Sequence, residues 1–179
     1  MTTMEEYLDD FAFGRDLKAS YEHINGSAVF RKELIAQVAS SNKKHASYSS
    51  WILCHYFEHF PDSMTEEEYR FIVDTLIATT NHSVHRNACN CIVFSNYDCS
   101  EDGQLLDQLF AFMADSDSLP ALIFAASRCI EKHFLPKYPE LMQELKNLYT
   151  ILAKHEKPSM KAMARKFEKT YKKHPFYVA

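Results

Sequence analysis

Apolar residues recur along the chain at helical spacing, and they do so several times in the same phase. Ser47, Trp51 and Cys54 stand at i, i+4 and i+7, as do Val84, Ala88 and Cys91, then Leu122, Ala126 and Cys129, then Met160, Ala164 and Phe167. That spacing marks one face of an amphipathic helix. Successive copies lie 37 or 38 residues apart. A second set of columns precedes the first in each copy. Leu34, Val73, Leu109 and Leu148 align, and four residues on so do Val38, Ile77, Met113 and Leu152. Two amphipathic helices per unit, repeated at this period, predict an all-α chain of stacked hairpins, an α-α superhelix or solenoid of about four units.

Helix-stop and helix-start residues fall between these patterns. Asn25-Gly26-Ser27 reads as a glycine stop followed by a serine N-cap, and Ser40 to Lys44 reads as the turn inside the first hairpin. Pro61 closes that hairpin. Ser63 or Thr65, followed by Glu66, Glu67 and Glu68, opens the next with carboxylates at the positive end of the helix dipole. Asn81 to Ser83, Asp98 to Gly103, Asp115 to Pro120 and Pro136 to Pro139 mark the later breaks, and Pro158 fits the first turn of the last long helix. The boundaries predicted are hairpins at 25–61, 62–97, 98–136 and 137–174 within a single domain, 1–179. Residues 1–24 lie outside the repeat. They carry six acidic residues against Arg15 and Lys18, with Tyr7, Leu8, Phe11 and Phe13 as apolar anchors, and are expected to form an N-terminal helical cap over the first hairpin.

Composition narrows this picture without changing it. A chain of 179 residues is long enough for one domain with a sizeable core, and three glycines with six prolines are too few for the turns of a sandwich or barrel. The start of the chain is acidic and lacks the apolar core of a secretory signal, and the longest apolar run, Ala121 to Ala126, is far short of a membrane span. Five cysteines with no framework of spacings suit reduced thiols. The expectation is therefore a cytoplasmic protein without a membrane segment.

The phrases Asn81-His82-Ser83-Val84-His85-Arg86-Asn87-Ala88 and Asp115-Ser116-Asp117-Ser118-Leu119-Pro120-Ala121 resemble the HEAT/armadillo pattern, a polar turn followed by Val, Arg and Ala. Ser50-Trp51 leading to Glu58-His59-Phe60-Pro61, and then Val84-His85-Arg86-Asn87, is similar to small stand-alone bacterial HEAT-like proteins. The resemblance covers about residues 27–175. It implies a HEAT-like solenoid whose second helices line a concave side. Such folds host scaffolds, receptors and a few enzymes, so the fold carries no activity with it.

Candidate chemistry is sparse. His55, Glu58 and His59 spell H-x-x-E-H, a spacing that can place two imidazoles on one metal with a glutamate base. The repeat phase aligns His55 with Ile92 and Ile130, a packing column, so neither a metal nor catalysis is expected there. His82, His85 and Cys89 share a helix face, but no paired short cysteine spacing supports a structural metal. No glycine-flanked serine, phosphate-cradling loop or dinucleotide fingerprint is present. Some HEAT-like proteins are DNA glycosylases with an acidic residue and aromatic groups in a basic channel. Trp51, the only tryptophan, falls in the inward column, so that activity is not expected. The reading is of a protein without catalytic residues or cofactor.

What remains is surface. On the resemblance, the outward columns of the second helices read Leu53, Asn90, Arg128, Lys166 and Ile52, Cys89, Ser127, Arg165. They predict a face that is apolar near Tyr56, polar near Arg86 and Asn90, and basic near Arg128, Arg165 and Lys166. Its fitting partner is an unidentified protein or peptide with an apolar end and acidic residues. The competing use of Ile52 and Leu53 is packing between repeats. The alternative partner is nucleic acid. Residues 154–174 hold eight Lys or Arg against two Glu, a net +6, while the rest of the chain is −10. Lys161, Arg165, Lys169 and Lys172 would then be the phosphate contacts.

Overall fold

The computed structural model describes residues 2–178, and among them every regular element is helical. The chain forms two compact units, one ending at Tyr97 and the other beginning at Asp98.

The N-terminal unit starts with two helices, α1 (Met4–Gly14) and α2 (Leu17–Gly26). Thr3 and Glu6 close α1 with a reciprocal capping box, and the Asp16 carboxylate accepts from the Ala19 amide to start α2. The first hairpin is α3 (Ala28–Ala36), prolonged by a 3-10 turn at Gln37–Ala39, and α4 (Lys43–His59). The second is α5 (Glu66–Ala78) and α6 (His82–Phe94). Ser27, Asn42, Thr65 and Asn81 cap α3 to α6, and Thr65 forms a full box with Glu68. Gly26 ends α2 without entering the left-handed region, so the stop there comes from extended Ser27. The centre of the unit is α4, which packs against α1, α2, α3 and α6.

The C-terminal unit holds α7 (Gly103–Ala114) and α8 (Pro120–Cys129), then α9 (Leu141–Leu152), α10 (Pro158–Tyr171) and the short α11 (Pro175–Val178). Proline occupies the first turn of α8 and α10, where its missing N–H costs nothing. A π-helical turn, Ile130–Phe134, continues α8 and leads into the Pro136 to Pro139 break. Helix α8 packs on α7 and α10, and α9 on α10 and α11.

The inward columns are buried from Val84 onward. Val84, Ala88, Cys91, Leu122, Ala126, Cys129, Met160, Ala164 and Phe167 are all in the core. Small residues in the middle of the stripe let second helices approach. The Cys91 thiol, for instance, lies 3.9 Å from the Ser50 carbonyl of α4. All five cysteines are buried and outside any disulfide, and burial raises the Cys89 thiol to about 12 and Cys91 well above its ordinary value. The first-helix columns hold at Leu34, Val38, Val73, Leu109, Met113 and Leu152, whereas Ile77 and Leu148 are only partly buried.

Two features depart from the expected pattern. Ile52, Leu53, Cys89 and Ser127, read as outward-facing, are buried. Packing on more than one side widens the buried arc of these second helices, and α4 has four helical neighbours in its unit. Ser127 is satisfied by donating to the Phe124 carbonyl. Conversely, Ser47 and Trp51, which open the inward stripe, are only partly buried. They line a cleft.

Candidate partner-binding surfaces

In the N-terminal unit, Tyr56 is withdrawn from the surface. Only 1 % of it is exposed, and its hydroxyl donates to Asn25 Oδ1 at 2.7 Å while accepting from Arg31 Nη1 at 3.0 Å. Arg31 anchors this network. Its Nη2 donates to Glu68 Oε2 at 2.7 Å and to the Ser63 carbonyl at 2.6 Å, its Nε donates to Glu68 Oε1, and its guanidinium stands 5.2 Å from the Tyr56 ring centre. The sequence placed Tyr56 on the partner face because nothing local announces a cation 25 residues earlier in the chain. Its hydroxyl is consumed by the fold.

Arg86 and Asn90, both on α6, are partly buried. The Arg86 guanidinium lies against Asn87, whose Oδ1 accepts from Nε at 3.3 Å and from Nη2 at 3.2 Å. Asn87 in turn donates to the Ser50 hydroxyl at 3.1 Å, so a buried amide fixes the arginine from below. Arg86 and Asn87, but not Asn90, line a cleft of about 190 Å³ together with Arg15, Tyr48, Trp51 and Ser83. Trp51 is therefore not a core residue. The corner between α1 and α2 stands beside α4 but leaves the indole partly open.

The H-x-x-E-H residues are engaged with one another and with aromatics. His55 Nδ1 and Glu58 Oε2 are 3.0 Å apart, His59 Nδ1 lies 3.2 Å from the His55 carbonyl, and the His59 ring sits 5.0 Å from that of Tyr21. His85 Nε2 is 2.7 Å from the Thr79 carbonyl, and burial lowers its pKa. Among the described residues no three His, Cys, Asp or Glu side chains are grouped to hold a metal ion.

The C-terminal unit carries the basic surface. Phe124 of α8 is 38 % exposed, with the Arg128 guanidinium 5.6 Å and the Lys166 ammonium 5.8 Å from its ring centre. Each such contact at an exposed ring contributes on the order of 0.5–1 kcal/mol. Arg165, beside Lys166 on α10, is exposed. Lys161, Arg165 and Lys169 of α10 and its C-cap Lys172 are also exposed and follow one another at steps of four, four and three. Among the described residues none of these four lies within ion-pair distance of a carboxylate.

A family model described as a HEAT repeat domain matches residues 4–171. The chain belongs to the HEAT repeat domain family. No curated protein and no solved structure matches it. The matched span of this HEAT repeat protein takes in α1 and α2 as well as the hairpins, and no helix among the described residues is long and apolar enough to cross a membrane.

Sequence reading missed one group in the HEAT repeat protein's second unit. Glu131, in the π-helical turn, accepts from the Tyr171 hydroxyl at 2.9 Å, and the Tyr149 hydroxyl also reaches it. Burial raises this carboxyl above the usual range, against the opposing pull of Tyr171, Lys166 and Arg128. Burial and the Glu131 charge likewise push both tyrosines far up. The only sequence signal was a glutamate directly after the buried Cys129-Ile130 pair. A pKa raised on folding means that the protonated form is favoured in the folded state. The associated stability is present below the ordinary carboxylate range and is lost as pH rises through the raised value. Glu131→Gln, which mimics the neutral form, is expected to melt above the parent chain at pH 7, with the gap closing as pH falls to 4. A gap that widens on acidification would show that the carboxylate is the favoured form.

Proposed function

We propose that this HEAT repeat protein is a non-catalytic interaction module that captures an acidic segment of another protein on its exposed second-helix residues. The contact is the patch formed by Phe124, Arg128, Arg165 and Lys166 in the C-terminal unit. HEAT repeats typically mediate protein interactions and are generally non-catalytic. The observation that carries this reading is the exposed Phe124 ring bracketed by two cations. A ring stacked beneath cations offers an apolar contact and positive charge together, which suits a peptide pairing an apolar residue with carboxylates. In affinity capture from the native host after nuclease treatment, the parent chain is expected to retain a protein partner. Arg128→Glu combined with Arg165→Glu is expected to lose it while keeping its helical circular dichroism. Unchanged capture by the double variant would remove the patch from the interface.

The exposed stripe Lys161, Arg165, Lys169 and Lys172 supports a second reading, in which α10 lies along a phosphate backbone. Such binding falls steeply with salt, with a slope of about −0.9 per phosphate on duplex DNA. Capture abolished by nuclease, or duplex binding with that salt slope, would favour it over the peptide.

A further inference from the structure

The cleft of the N-terminal unit lies apart in the chain from the Phe124 patch and has its own chemistry. Two guanidiniums line it, Arg15 from the α1–α2 corner and Arg86 from α6, and among the described residues neither is paired with a carboxylate. This is notable because the chain around Arg15 is acidic. The acid that follows it in sequence, Asp16, caps α2 by accepting from the Ala19 amide. Asn87 orients Arg86 through Nε and Nη2, so its Nη1 makes no hydrogen bond among the described residues. Tyr48 and Trp51, one turn apart on α4, give the wall its aromatic part, beside Ser47, Ser83 and Asn87.

The backbone at Arg15 sharpens the point. It has φ 50° and ψ 38°, and it is the only non-glycine residue with positive φ among those described. Glycine is the residue this helix-ending position favours, and Gly14 stands one place too early to take it. The chain keeps a long cation where glycine would relieve strain. Residues held in such conformations cluster at ligand sites.

We propose that this cleft binds a small phosphate monoester that also carries an aromatic ring. Two planar forks meet the charge and the several acceptor oxygens of a phosphate better than those of a single carboxylate. Tyr48 and Trp51 supply the stacking wall for the ring. A volume of about 190 Å³ lies below the span typical of drug-sized ligands, so the site takes an aromatic group and a nearby phosphate rather than a large cofactor. The same chemistry is offered by a free nucleotide and by a phosphorylated tyrosine side chain.

Trp51 is the only tryptophan of the chain, so its emission reports occupancy directly. The full chain is titrated at low salt with adenosine monophosphate, phenyl phosphate, benzoate and inorganic phosphate. A saturable change with adenosine monophosphate or phenyl phosphate is expected, with a midpoint lower than that for benzoate or inorganic phosphate by about tenfold or more. The tighter of the two aromatic phosphates identifies the source, nucleotide or phosphorylated side chain. Arg86→Ala is expected to raise the midpoint by about tenfold, as the loss of one charge-assisted contact. Arg15→Gly is expected to do the same while melting no lower than the parent chain, because glycine suits the left-handed backbone. That variant separates binding from folding. The proposal is overturned if neither aromatic phosphate gives saturation, if benzoate or inorganic phosphate binds equally well, or if Arg15→Gly keeps the parent midpoint.

Discussion

Arg31→Ala is expected to destabilise the N-terminal unit by about 3–5 kcal/mol, the cost of breaking a buried ion pair from one side. The Arg31 and Glu68 side chains are only 19 % and 11 % exposed, so solvent screens the pair poorly. Truncation leaves the Glu68 carboxylate without its cation and the Ser63 carbonyl and Tyr56 hydroxyl without a donor. These groups come from the end of the first hairpin, the Pro61 turn and the start of α5, so one guanidinium holds the junction between two hairpins. Lysine should not rescue it, because a single ammonium cannot serve a carboxylate, a carbonyl and a phenol in fork geometry. Trp51 lies in this unit, and its emission during urea unfolding provides the readout. Arg31→Met with Glu68→Gln removes both charges and should recover much of the loss. A shift below about 1 kcal/mol for Arg31→Ala would mean that the pair behaves as an exposed one.

Phe167→Ala is expected to cost the C-terminal unit about 3–5 kcal/mol. Phe167 is 4 % exposed and stacks on Tyr149 with ring centres 4.0 Å apart and planes 16° from parallel. The rings of Tyr171 and Tyr177 also lie within 4.8 and 6.1 Å. The side chain thus joins α9, α10 and α11, and alanine leaves a cavity that helices held at both ends cannot fully close. Phe167→Leu keeps most of the volume and should lose clearly less. Thermal unfolding followed by far-ultraviolet circular dichroism checks both variants. Equal melting of Phe167→Ala and the parent chain would place this side chain outside the core.

The Phe167 column also shows how far the sequence could be read. Cys54, Cys91 and Cys129 occupy the same place in the three preceding second helices, and all are buried. Their spacing located the hairpins, and the capping residues Ser27, Thr65, Asn81 and Asp102 fall at breaks that the sequence already marked. Helix periodicity and capping depend on residues within about four positions of one another, so they are visible in the sequence. The π-helical turn after Cys129 was not legible, because nothing in Ile130-Glu131-Lys132-His133 breaks a helical pattern.

The candidate surfaces were legible only in part. Arg128, Arg165 and Lys166 were picked out by charge, and Phe124 beneath two of them was not. Tyr56 was assigned to the surface and is buried, while Trp51 was assigned to the core and lines a cleft. Arg15 was counted only as a charge in the cap, and its left-handed backbone had no signal in the sequence.

By itself the sequence determined an all-α chain of helical hairpins, their register, their turns and the basic character of α10. Each of these follows from short-range spacing or from composition. Tertiary structure decided which parts of each helix remain open, because the width of a buried arc depends on how many neighbours a helix acquires. It also decided which distant side chains meet. Arg31 with Glu68, Tyr171 with Glu131, and Arg15 beside Trp51 and Arg86 are separated by roughly 35 to 70 residues, and no local pattern encodes such pairs.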